Sequence, residues 1–280
     1  MERKFSLELE FTDRSYHSAW RDISKAAKIT GHKWLDILTY KDPSSNSNSV
    51  YTRAQANGTI TNYWVLKPEC STGLEINTPA FTETGLLEKG LTRALKPFRT
   101  QGLSRRCGMH VHVDARDLIH AKQLAWIFLR FRRNQSTFFY LHPRYSNRMD
   151  YCETLSPYSI DQLARKVLTG AFKTNATRLL EMLYVRTKCL ALTGCHYPGY
   201  GTLEFRLAPG TRSPKDAAYW GYLCSRFVEC TVRSVKEWDS FPEIEKPKDF
   251  FGSLDLPKKV LEWALQRFKR YNRGPRLRED

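Results

Sequence analysis

The chain has 280 residues and carries 45 Lys and Arg against 29 Asp and Glu, a net charge of +16. That balance points to an anionic partner such as a nucleotide, a nucleic acid or an acidic peptide. No apolar run reaches the length of a membrane span, and Met1 to Lys4 lacks the apolar segment of a secretory signal. Seven cysteines without a C-x-x-C pair argue against a disulfide frame or zinc knuckle, so a cytoplasmic protein with reduced thiols is expected.

In chain order, residues 5–11 read as a strand in which Leu7, Leu9 and Phe11 alternate with Glu8 and Glu10. Ser15 to Lys28 is predicted helical, with Tyr16, Trp20, Ile23 and Ala27 on one stripe. Asp42 to Ser49 has the composition of a loop. Strands of a meander are expected at 50–53, 60–68 and 72–79, with Asn57-Gly58 as a hairpin turn. Lys67 sits near the end of the second, within reach of an anion, and Glu75 and Asn77 oppose Leu74 and Ile76 in the third. A helix over 83–98 carries Leu86, Leu87, Leu91, Leu95 and Phe98 on one side.

The next strand, 106–114, projects His110 and His112 together while Met109, Val111 and Val113 point the other way. A long helix is predicted over 117–141, followed by a basic, aromatic loop at 142–152. Helices at about 160–169 and 176–184 lead to a strand at 186–192, and a Gly- and Pro-containing link at 194–201 turns into a strand where Glu204 and Arg206 alternate with Leu203, Phe205 and Leu207. Ser213 is the expected N-cap of a helix from Pro214 towards Trp238. A loop is expected over 241–255, then a last amphipathic helix and charged tail at 257–280. With no internal repeat and no second core, one α+β domain is expected.

If the four alternating strands share a sheet, four glutamates, two histidines and an arginine meet on one face. Crowded carboxylates raise one another's pKa, so such a cluster implies a cation. Mg²⁺ and Mn²⁺ favour oxygen ligands and commonly share substrate phosphates, while a guanidinium such as Arg206 offers forked donors to phosphate. Two other readings compete. A metal hydrolase or cupin-like enzyme could use His110 and His112, but no third His stands at useful spacing and the long helices would go unexplained. A non-catalytic nucleic-acid-binding protein would suit the charge and the aromatic loops.

Taken together, Leu7 to Phe11, Lys67 to Ser71 with Glu75 to Pro79, Cys107 to Val113, Asn147 to Cys152, Arg186 to Leu192 and Gly201 to Thr211 resemble the amidoligase family. That family belongs with the carboxylate–amine ligases of the glutamine synthetase and glutamate–cysteine ligase superfamily. The resemblance covers about residues 5–235. It implies a curved antiparallel sheet flanked by helices, like the catalytic domain of glutamine synthetase and guanido kinases, with ATP and Mg²⁺ (or Mn²⁺) on its concave face. Carried over, Glu8, Glu10 and Glu75 would be metal ligands, and His110 and Glu204 would complete a second metal site. His112 and Arg206 would face ATP phosphates, with Lys67 counted beside them. Arg148 and Arg186 would meet phosphate or the substrate carboxylate and act with Arg206 in catalysis. The chain departs from the family pattern at Ser6, Glu69 and Ala191, which bears on substrate contacts more than on the metal set. The implied reaction joins a carboxylate to an amine, small or macromolecular, through an acyl phosphate. The positive charge would recruit an anionic or nucleic-acid-linked substrate. No membrane is involved, and Cys107 is expected to be a packed thiol.

Overall fold

Alternation along the first strand decides which side of the sheet meets the core. A computed structural model of the chain describes residues 2–12, 16–36, 62–69, 73–98, 103–104, 106–118, 120–143, 155, 157–175, 179, 190–191, 201–234 and 246–272. In β1 (Phe5–Phe11), Phe5, Leu7, Leu9 and Phe11 are wholly buried against helices, and Glu8 and Glu10 face the other way. Among the described residues six further strands join it: β2 (Lys33–Asp36), β3 (Tyr63–Glu69), β4 (Gly73–Asn77), β5 (Gly108–Asp114), β6 (Leu190–Ala191) and β7 (Thr202–Pro209). Their order is β2-β3-β4-β1-β5-β7-β6.

Every pairing among these strands is antiparallel except one: β2 runs parallel to β3 at the edge, with Trp34 opposite Trp64. The sheet is therefore mixed. The short β2, directly after the first helix, went unforeseen because four residues carry too little periodicity to announce a strand. In the centre the register brings Glu8 opposite both Asn77 and His110, Glu10 opposite Glu75, and His112 opposite Glu204. The β5–β7 ladder slips between Met109 and Val111, where β7 spends one extra residue. Ala208 thus sits opposite Met109, and both Leu207 and Ala208 are buried. Such bulges bend a strand and re-aim its side chains.

The helices are α1 (Tyr16–Thr30), α2 (Thr84–Ala94), α3 (Ala121–Phe139), α4 (Pro157–Leu168), α5 (Pro214–Arg233), α6 (Pro247–Gly252) and α7 (Lys258–Tyr271). α1 packs on β2 and β3, and α5 packs on β1 and β5. Contact is close where glycine permits it. A Cβ on Gly221 of α5 would meet Phe5 Cε2 at 2.5 Å, and one on Gly90 of α2 would meet Trp64 Cζ2 at 2.6 Å. Behind the sheet, Phe131, Phe138, Phe205, Phe227 and Phe250 form a continuous aromatic cluster. At the start of α5, Ser213 Oγ accepts the Asp216 amide at 3.1 Å and Pro214 occupies the first turn, as the sequence predicts.

α5 spans Pro214–Arg233 with Ser234 as its C-cap, and residues 235–238 of the expected helix lie outside the described residues. One expectation needs correction. Within the expected loop at 241–255, Pro247–Gly252 is helical, because proline pre-sets the first turn and Phe250 and Phe251 gain full burial. The expected loop at 42–49, the strand at 50–53, the Asn57-Gly58 turn, the helix at 176–184 apart from Leu179, and the tail at 273–280 lie outside the described residues. Among those residues no helix is long and apolar enough to cross a membrane.

Candidate functional site

The face of the sheet turned away from the helices gathers the polar half of each alternating strand. β1 contributes Glu8 and Glu10, β4 contributes Glu75 and Asn77, β5 contributes His110 and His112, and β7 contributes Thr202, Glu204 and Arg206. Lys67 of β3 lies opposite Glu75 and pairs with it at 2.7 Å. Glu204 is 2% exposed, Glu75 and His110 are each 4% exposed, and Glu10 and Asn77 are buried with them.

His110 is at the centre. Its Nδ1 lies 3.2 Å from Glu8 Oε2 and 3.1 Å from Glu204 Oε1, and its Nε2 lies 3.8 Å from Glu10 Oε1. His112 Nε2 is 3.2 Å from Glu8 Oε1, and its Nδ1 is 3.1 Å from Thr202 Oγ1. Arg206 Nη1 donates to Glu204 Oε1 at 2.5 Å. The amide of Gly108 donates to Glu10 Oε2 at 2.6 Å.

These contacts set the charges. Burial disfavours a charged imidazole, but hydrogen bonds to Glu204 and Glu8 outweigh it and carry the His110 pKa up to about 9. His112 is likewise raised, the Glu8 carboxylate overcoming burial. Burial opposes ionisation of Glu204, yet His110, His112 and Arg206 hold it down to about 2, and Glu8 is held well below the usual carboxylate range by His112 and His110 against the same burial. Glu75 goes the other way. Burial and the neighbouring Glu8 charge push it up to about 8, and Lys67 at 2.7 Å only partly offsets them. Protons, a lysine and an arginine thus neutralise the carboxylates when no other cation is supplied.

The residues fit a divalent cation. Ligand atoms of Glu8, His112 and Glu204 all lie within 4.8 Å of one another. Among the described residues, the buried nitrogens His110 Nε2 and Arg206 Nε have no hydrogen-bond partner, and His112 Nε2 meets only the Glu8 carboxylate. An ion with anionic ligands would use all of these, since buried polar groups are expensive to leave unmade. This grouping differs from the division implied by the family resemblance, which sets His110 with Glu204 on a metal and His112 on phosphate. Arg148 and Arg186 lie outside the described residues. Thr202 and the Gly108 amide escaped the sequence reading. Thr202 shares the two-residue phase of Glu204 and Arg206, a signal that was available; a backbone amide leaves none.

Fold and site together describe an α+β protein whose sheet carries a buried carboxylate–imidazole cluster suited to a divalent cation. Residues 1–228 match the family model described as "Putative amidoligase enzyme", and the chain belongs to that family. No curated protein matches the chain. Among solved structures, a bifunctional glutathione synthetase from Pasteurella multocida is 12% identical with a TM-score of 0.45, over 97% of this chain and 47% of that one. The complex between the prokaryotic ubiquitin-like protein Pup and its ligase PafA is 10% identical with a TM-score of 0.39, over 96% of this chain and 63% of the other. The chain spans less than two thirds of the length of either.

Proposed function

We propose that this protein is an ATP-dependent carboxylate–amine ligase that works on the polar face of its sheet with Mg²⁺ or Mn²⁺. The observation that carries this reading is the convergence of Glu8, Glu10, Glu75 and Glu204 with His110, His112 and Arg206 on one buried face. Glu8, His112 and Glu204 would hold a divalent ion, with Glu10, Glu75 and His110 able to complete its surroundings or hold a second. Bound there, such an ion supplies charge neutralisation for a triphosphate.

The residues themselves account for the remaining steps. Arg206, whose buried Nε has no hydrogen-bond partner among the described residues, offers its fork to a phosphate and to the charge that builds during transfer. Lys67, on β3 and four strands from Arg206, would meet an anion from the opposite side of the acids, beside Glu75. A substrate carboxylate oxygen attacks the γ-phosphorus of ATP, the bond to the bridging oxygen breaks, and ADP leaves. An amine nitrogen then attacks the acyl phosphate carbonyl, expelling phosphate and losing a proton. The +16 net charge favours a carboxylate substrate that is itself strongly anionic, including one linked to nucleic acid. Arg148 and Arg186 remain in this proposal as contacts to phosphate or substrate.

The test is Mg²⁺-dependent ADP release, screened over amino acids, polyamines and modified nucleotides. ADP formed with a carboxylate and amine pair supports the reading. Absence of ADP with every pair, together with no ATP binding in the presence of Mg²⁺, removes it.

A further inference from the structure

The β5–β7 register sets Asp114 opposite Thr202 and His112 opposite Glu204. Thr202 is therefore the diagonal neighbour of His112 on the polar face, close enough for its side chain to touch the ring. Its Oγ1 lies 3.1 Å from His112 Nδ1, and the residue is 4% exposed. Gly201 fixes where β7 begins. Its φ of 52° favours glycine, its carbonyl accepts the Ala115 amide at 2.7 Å, and a Cβ there would collide with Arg116 Cγ. The hydroxyl is thus placed by backbone geometry.

The other ring nitrogen of His112, Nε2, is buried and pairs with Glu8 Oε1 at 3.2 Å. It belongs to the group formed with Glu8 and Glu204. His110 is engaged differently, with Nδ1 shared between Glu8 and Glu204. An imidazole that binds a cation through one nitrogen commonly donates its other N–H to an oxygen, and that bond fixes both tautomer and ring orientation.

We infer that Thr202 is the positioning residue of the cation site: its hydroxyl accepts Nδ1–H of His112, which leaves the Nε2 lone pair aimed at an ion shared with Glu8 and Glu204. The inference rests on the reading that this face holds a divalent cation. Thr202 acts only through the ring.

The test titrates Mn²⁺ calorimetrically into the full chain as wild type, Thr202→Val and Thr202→Ser, and records ¹⁵N spectra of the His112 ring in the Mg²⁺-saturated wild type. Thr202→Val, which keeps the shape and loses the hydroxyl, should bind Mn²⁺ about 10- to 100-fold more weakly. Thr202→Ser should stay close to wild type, and the wild-type ring should carry its proton on Nδ1. If Thr202→Val does not fold, Thr202→Ala takes its place, and the wild-type spectrum decides independently. Equal Mn²⁺ affinity in Thr202→Val and wild type, or a Mg²⁺-saturated His112 protonated on Nε2, overturns the assignment. A wild type that binds no Mn²⁺ overturns the cation reading beneath it instead.

Discussion

Glu204 and Phe205 are neighbours in β7, and both are buried, at 2% and 0% exposure. Phe205 is stabilised by rings, packing against Phe131, Phe138 and Phe227 from α3 and α5. Glu204 is stabilised by charge, from His110 Nδ1 at 3.1 Å and Arg206 Nη1 at 2.5 Å. The same contrast repeats on each central strand, so one sheet has two kinds of interior. The side against the helices is held by apolar packing, which neither protons nor a divalent cation alter directly. The other side balances carboxylates against protons and cations, and its stability follows whatever supplies positive charge.

The largest effect should come from breaking the apolar side. Phe205→Ala is expected to cost about 3–5 kcal/mol, read from urea unfolding, because the cavity opens inside a ring cluster with little room to collapse. Glu204→Gln, one residue away, should leave a cooperative unfolding transition but lower Mg²⁺-dependent ADP release by about 10²- to 10³-fold, or roughly 3–4 kcal/mol of transition-state stabilisation. A Phe205→Ala protein of unchanged stability, or a Glu204→Gln protein of unchanged rate, would erase the distinction.

Changing pH sharpens it. The folded pKa of Glu75, about 8, lies above its ordinary 4.5, and that of His110, about 9, lies above 6.5. Both groups bind more protons folded than unfolded. Their contributions are complete below the unfolded pKa and are lost as pH rises through the folded one. In chelator-treated protein the melting temperature should therefore fall as pH rises from about 4.5 to 9, first through Glu75 and above pH 6.5 through His110 as well, and excess Mg²⁺ should flatten the decline by replacing protons. Glu204, lowered to about 2, adds a separate loss as pH falls below 4.5. Glu75→Gln, which resembles the protonated acid, should raise the chelated melting temperature above pH 8 while weakening Mg²⁺ binding. A melting temperature independent of pH and Mg²⁺ over this range would count against the two-interior description.

The smallest effect concerns neither face. Ser213→Ala removes the acceptor for the Asp216 amide and should cost about 1 kcal/mol in chemical denaturation, with the ADP rate per folded molecule unchanged.

Much of this was legible in the sequence, because a two-residue period is local. Leu7-Glu8-Leu9-Glu10 and His110-Val111-His112 declare their two faces without help from the rest of the chain. What local pattern cannot give is register: nothing in either stretch says that Glu8 stands opposite His110 rather than His112. The bulge in β7 was hidden for the same reason, since an extra residue becomes visible only against a partner strand. Edge pairing was also out of reach, as the four residues of β2 owe their place to Trp34 and Trp64 and not to a periodic run. The helix at Pro247–Gly252 was obscured by its own proline, which signals a loop as readily as a first turn.

Gly221 carries a consequence for how this chemistry could vary. The hydrogen it presents to Phe5 and Leu7 lets α5 lie directly on β1, the strand that bears Glu8 and Glu10 on its far side. Bulk added there would shove the acids from behind, through the thickness of the sheet, without touching anything they bind. Homologues that differ only in how tightly this helix lies on this strand should therefore diverge in metal preference, and a survey confined to ligand-contacting positions would overlook the cause.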